Sequence, residues 1–173
     1  HARSKDYTFS VIAAALEQLD LSVHDARVYN SVDHMAMDTF FVLDADGNPI
    51  ANDPGRLKHI GSYLNRQLKD SSHYPDIVNR RTSRQSKFFS IPTETTMVVD
   101  EVKQVSVLEV VTPDRPGLLA RIGRIFFDFG IQLQAAKITT LGERVEDVFF
   151  ITDSMQQPIT DPTLVAAIQA AIC

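Results

Sequence analysis

The residues best placed to do chemistry lie in one stretch, Pro113 to Gly130, which reads PDRPGLLARIGRIFFDFG. A strongly apolar strand, Val105 to Thr112, leads into it. The chain turns through Asp114, Arg115, Pro116 and Gly117 and then runs on as an amphipathic helix. Leu118, Leu119, Ile122, Ile125, Phe126 and Phe129 are spaced onto one helix face, and Arg121, Arg124 and Asp128 onto the other. Pro116 suits the first helical turn, because its missing N–H would have no intrahelical partner there. Asp114 can accept a hydrogen bond from the free amides of that turn. Gly117 leaves the backbone open to close approach by another group. Helix N-terminal amides beside a glycine can hold a carboxylate or a phosphate. The same residues also make a sound strand-to-helix turn with no ligand, and the sequence leaves both readings open.

The remaining reactive side chains form no catalytic set. His1, His24, His34, His59 and His73 do not pair with one another or with a cysteine at metal-ligand spacing, so no metal site is expected. His24 and His34 can face each other across adjacent strands, where ordinary polar strand positions are the simpler reading. No nucleophile elbow, phosphate-binding P-loop or dinucleotide fingerprint occurs. Asp147 and Asp153 bracket a strand, as Asp38 and Asp44 do, and read as regular hairpin features rather than an acid–base pair. Cys173 is the one cysteine. It excludes a disulfide framework within the chain and points to a reducing cytoplasm. A binding or regulatory module is therefore expected, with no catalytic residue.

Composition narrows the class further. Of 173 residues, 44% are hydrophobic and 23% charged, the balance of a globular chain long enough for one large or two small domains. The formal net charge of −5 gives no electrostatic reason to expect nucleic acid as a partner. The basic run Arg80, Arg81, Arg84 and Lys87 lacks interleaved aromatics and reads as a solvated linker. No apolar run approaches the roughly 18 residues of a membrane span, and no signal peptide is visible.

The elements that must position the turn occur twice. Tyr7 to Leu19 reads as a helix, followed by strands over Leu21–Asn30 and Met35–Leu43 and a helix opened by Asp53-Pro54. Ile131 to Ile138 (IQLQAAKI) matches Leu21 to Val28 (LSVHDARV), and Asp147 to Asp153 (DVFFITD) matches Asp38 to Asp44 (DTFFVLD). Both copies then reach a Pro-Ile pair, Pro49-Ile50 and Pro158-Ile159, and an Asp-Pro that opens a helix, Asp53-Pro54 and Asp161-Pro162. The helix from Gly117 to Phe129 matches Tyr7 to Leu19 in its apolar positions. The offset is roughly 110 residues, the signature of an internal repeat.

The repeat unit is strand, helix, strand, strand, helix, with room for a last strand: the α+β, ferredoxin-like βαββαβ pattern. The first copy (1–69) lacks a first strand, which suggests a piece of a longer polypeptide. Residues 70–87 read as a linker. The second copy occupies 88–173, and its Phe88–Glu101 segment is the last strand of the first copy, an extra strand hairpinned to Val105–Thr112, or a strand shared by both. Apolar residues on both faces of the central strands require a second cover on the face that two helices leave open. In both copies the apolar alternation of the second strand switches phase, from Leu21 and Val23 to Ala26 and Val28, and from Ile131 and Leu133 to Ala136 and Ile138. That switch means either a β-bulge or, on the simpler reading, that the first two apolar residues belong to the preceding loop.

The strand-turn-helix of residues 105–131, followed by QAAKITTLGERVEDVFFITD (134–153), resembles the C-terminal ACT domains of the bacterial PII uridylyltransferase/uridylyl-removing enzymes. The DRPGLL turn is a general ACT signature, whereas its combination with AKITTLGERVEDVFFITD is specific to these enzymes. The resemblance spans about residues 7–172 and is stronger in the second copy. It implies a regulatory module that senses L-glutamine. The parent enzyme would carry UMP to and from the PII signal protein, with magnesium in catalytic domains outside this chain and no cofactor within it. It also implies ACT–ACT pairing, within or between chains. Carried over residue by residue, the ligand site is Asp114, Arg115, Pro116, Gly117, Leu118 and Leu119, with the amides of Gly117 and Leu118 toward a ligand carboxylate and Asp114 toward its amino group. Gln132 and Gln134 would hydrogen-bond an amide side chain. The first copy departs from the pattern, since Arg3-Ser4-Lys5-Asp6-Tyr7-Thr8 has no Pro-Gly and Tyr7 replaces the glycine. A pairing module without ligand, and the ACT region of another amino-acid-controlled enzyme, are the competing expectations.

Overall fold

A computed structural model describes residues 8–30, 36–50, 53–69 and 92–173. In chain order these form α1 (Thr8–Gln18), β1 (Leu21–Asn30), β2 (Ala36–Asp44), α2 (Pro54–Lys69), β3 (Glu94–Asp100), β4 (Val105–Pro113), α3 (Leu118–Asp128), β5 (Gln132–Leu141), β6 (Arg144–Thr152) and α4 (Pro162–Ile172). The expected helix–strand–strand–helix order is present in both copies. The first-copy turn as far as Tyr7, His34, His73 and the basic run 80–87 lie outside the described residues.

The strands form one antiparallel sheet in the order β2-β1-β5-β6-β4-β3. The two copies therefore join edge to edge. Their equivalent strands β1 and β5 pair from Asp25↔Thr139 to Tyr29↔Ala135, centred on Arg27↔Lys137. The segment before β4 is the hairpin strand. β3 folds back along β4 from Glu94↔Val111 to Asp100↔Val105 and takes the outer position that a fourth ferredoxin-like strand would hold.

The phase switch in β1 and β5 is a β-bulge in both copies, which corrects the loop reading. Register slips between Val23 and Asp25 against β2, and between Leu133 and Ala135 against β6. Both halves of the strand thereby keep an apolar residue toward the helices: Leu21, Ala26 and Val28 in one copy, Leu133, Ala136 and Ile138 in the other. Period-2 alternation cannot by itself distinguish an added residue from a late start.

The four described helices lie on one face. There the core gathers Phe9, Leu108, Val110, Ile122, Phe126, Phe149, Ile151 and Ile168, with Phe126 and Phe149 edge-to-face at 5.3 Å. Leu16, Leu21 and Ile60 form a smaller cluster under α2. On the opposite face Val107, Val111, Val148 and Phe150 are half-covered, while Met37, Phe41 and Val98 are exposed. No described helix covers that face.

Helix ends follow the sequence at α2 and α4. Asp53 Oδ1 accepts from the Arg56 amide at 3.0 Å, and Asp161 Oδ1 from the Thr163 amide at 2.9 Å. α3 differs. Its cap is Gly117, left-handed at φ 80°, with no side-chain cap, so Asp114 does not do the capping expected of it and Pro116 lies just before the helix. The face of α3 differs as well. Ala120 and Gly123 are buried with Ile122 and Phe126, whereas Phe129 is exposed, because α3 packs against α1 through small residues. A Cβ on Gly123 would sit 2.6 Å from Ser10 Oγ and 2.9 Å from Ser10 Cα.

Candidate functional site

Pairing β1 with β5 brings the N-terminal end of α3 to the C-terminal end of α1. A cavity of about 240 Å³ lies between them, walled by both copies. The first copy contributes Ala13, Glu17 and Asp20 from α1 and its following turn, with Leu21, Ser22 and Val23 from β1. The second contributes Asp114, Arg115 and Pro116 of the turn, Leu118 and Leu119 of α3, Ile138 and Thr140 of β5, and Val145 and Asp147 of β6. The volume falls below the roughly 300–1,000 Å³ usual for drug-sized ligands and suits a compound the size of a free amino acid.

The turn is held from two sides. The Asp114 amide donates to Glu143 O at 2.8 Å, tying it to the β5–β6 hairpin, and the Leu118 amide donates to Arg115 O at 3.1 Å. The Leu118 amide is thus engaged within the turn. Gly117 does allow a close approach, and the group that approaches is the chain's own Glu17. A Cβ on Gly117 would lie 3.2 Å from both Glu17 carboxylate oxygens. An anion from the first copy therefore sits beside the positive end of α3.

Of the residues expected at the site, the structure brings together Asp114, Arg115, Pro116, Leu118 and Leu119 around the cavity, with Gly117 at the α3 cap beside Glu17. It does not bring Gln132 and Gln134 there. β5 runs parallel to β4, and α3 carries the chain back between them, so β5 begins at the far end of the sheet and reaches the cavity only at Ile138 and Thr140. Gln134 Nε2 donates instead to Thr152 Oγ1 at 2.9 Å, and Gln132 Nε2 to Ser154 O at 3.5 Å.

Asp147 is the residue that sequence reasoning passed over. It is 1% exposed in the cavity wall. Oδ1 accepts from the Thr139 amide at 3.2 Å, and Oδ2 is buried with no hydrogen-bond partner among the described residues. Burial pushes its carboxyl up to about 7, the Thr139 amide opposing and the Asp114 charge adding to the rise. Burial also raises Asp114, with His24 opposing. The repeat carried the signal. Asp38, the match of Asp147, is likewise raised by burial and keeps Oδ1 without a partner. Asp44 and Asp153, which looked like their twins along the strand, are turn formers. Asp153 Oδ1 accepts from Met155 and Gln157, and Asp44 Oδ1 from Asp46 and Asn48. No group of three or more His, Cys, Asp or Glu able to hold a metal ion occurs among the described residues.

Fold and turn together point to a class: residues 106–172 match the family model of the ACT domain. The first copy repeats its elements in the same sheet. More particularly, over 164 residues, 95% of its length, the chain is 52% identical to the bifunctional uridylyltransferase/uridylyl-removing enzyme of Azotobacter vinelandii. It is 52% identical over the same share to the enzyme of that name from Pseudomonas aeruginosa, and 51% to that from Pseudomonas putida. The chain spans 18% of the length of each of these relatives. What it resembles, nearly end to end, is a segment of these bifunctional enzymes. No solved structure gives a significant match.

Proposed function

We propose that this chain is the effector-sensing segment of a uridylyltransferase/uridylyl-removing enzyme, working in the cytoplasm, and that its inter-copy cavity binds a small amino acid, L-glutamine. The observation that carries the reading is the position of the cavity. It opens at the glycine turn of one copy and is closed by α1 of the other, so an occupant touches both. A compound that binds one arrangement of the two copies better than another shifts their equilibrium by that difference in affinity and no more. In the longer enzyme the shift would set the balance between adding UMP to the PII signal protein and removing it, chemistry assigned to magnesium-dependent domains outside this chain.

A second reading is a pairing module without ligand. The Glu17 carboxylate already occupies the place beside Gly117, and the β1–β5 ladder completes the sheet unaided.

Calorimetric titration of the chain with L-glutamine, against L-glutamate and L-asparagine, separates the two. A metabolite sensor works near millimolar affinity, about −4 kcal/mol, so high ligand concentrations are needed. Saturable heat with glutamine, abolished by Gly117→Val, is the expected result. Absence of heat well above millimolar concentrations leaves the pairing module.

A further inference from the structure

Asp147 has a hydrogen-bonding capacity that the fold does not use. One oxygen holds the Thr139 amide, while the other is buried in the cavity wall without a partner among the described residues. Leaving a buried acceptor unmatched is costly, and for the Thr139 contact alone an asparagine would serve as well. The charged groups around the cavity are mostly of one sign: Asp114 on the turn, Glu17 and Asp20 from the α1 end, with Arg115 as the cation in the wall and His24 near Asp114 on β1. A small acid-walled cavity with an unpartnered carboxylate oxygen buried in its wall is complementary to a compact donor cation. A primary ammonium fits that description, offering three N–H groups at one point.

We propose that Asp147 Oδ2 receives the α-ammonium group of the ligand and so makes the cavity selective for amino acids over the same carbon skeleton without the amino group. This rests on the amino-acid reading of the cavity. It departs from the sequence expectation, which gave the amino group to Asp114. Asp114 stands at the exposed rim, whereas Asp147 is enclosed, where a charge-assisted hydrogen bond is stronger.

The test is calorimetric titration of the chain with L-glutamine and with glutaramic acid, the same molecule with hydrogen in place of the ammonium group. Wild type should bind glutamine roughly tenfold or more tightly than glutaramic acid, the worth of one charge-assisted hydrogen bond. Asp147→Asn retains an acceptor for Thr139 and should weaken glutamine by about the same factor while leaving glutaramic acid unchanged, so the ratio collapses toward one. Asp38→Asn removes the matching half-buried carboxylate of the first copy and should leave the ratio intact. Glutamine binding at pH 7 should also release protons, seen as heat that varies with the ionisation enthalpy of the buffer, and Asp147→Asn should abolish this. If wild type binds neither compound, the amino-acid reading fails and this inference with it. If wild type prefers glutamine and Asp147→Asn keeps both the preference and the proton release, this inference fails alone.

Discussion

Replacing Asp147 by asparagine should flatten the pH dependence of stability in the ligand-free chain. An aspartate in the unfolded chain titrates near 3.8, whereas burial pushes the folded carboxyl up to about 7. The folded state therefore holds its proton over a range in which the unfolded state has lost it. Stability associated with this group is greatest at the acid end, falls as pH rises from about 4 to about 7, and is level above that. A rise of about three units at 1.36 kcal/mol each sets a ceiling of about 4 kcal/mol, a large share of the 5–15 kcal/mol that holds a typical domain together. Asparagine does not titrate. Urea denaturation followed by circular dichroism at pH 5, 6, 7 and 8 should show the variant gaining on wild type with pH, by roughly 1–2 kcal/mol at pH 5 and about 2–4 kcal/mol at pH 8. Asp38 is raised too and tilts both proteins the same way, so it drops out of the difference between the two curves, which reads Asp147 together with its coupling to Asp114. Curves that run parallel across this range would refute the reasoning.

Two further outcomes follow from packing. Gly123→Leu forces a side chain into the Ser10 backbone, and separating α1 from α3 should cost about 3 kcal/mol or more by urea denaturation and widen the cavity between the copies. Ser106 Oγ accepts from the Ile159 amide at 2.8 Å and donates to Ile159 O at 3.2 Å, so Ser106→Ala strands two buried groups. It should cost about 2–3 kcal/mol and speed amide exchange at Ile159, with glutamine heat unchanged.

The repeat made most of the fold legible. Pro-Ile and Asp-Pro pairs marked the same turns in both copies, and the caps they implied at α2 and α4 are made. What stayed hidden is what depends on how the copies meet. Nothing in the sequence singles out Glu17, and only the meeting of the two copies along the β1–β5 ladder carries it to Gly117. Gln132 and Gln134 are expected at the turn because they lie on the strand after α3, but a helix that returns along its sheet delivers the start of that strand to the opposite end. The bulges were one of two readings the sequence allowed, because one added residue and one late start leave the same alternation. Asp147 reads in sequence as a regular hairpin feature, although a carboxylate repeated at the same strand position in both copies is itself a reason to ask what it faces.

The position of Glu17 bears on how such a chain arises. A duplicated unit begins as two equal halves, and two equal halves joined across a two-fold would offer two equal cavities. Here the roles have parted. The residue matching Glu17 in the second copy is Phe127, and the residue matching Gly117 in the first is Tyr7. One half keeps the turn and the other keeps the carboxylate that leans on it. The twins are complementary at this point, so exchanging either for a second copy of the other would remove the contact between Glu17 and Gly117.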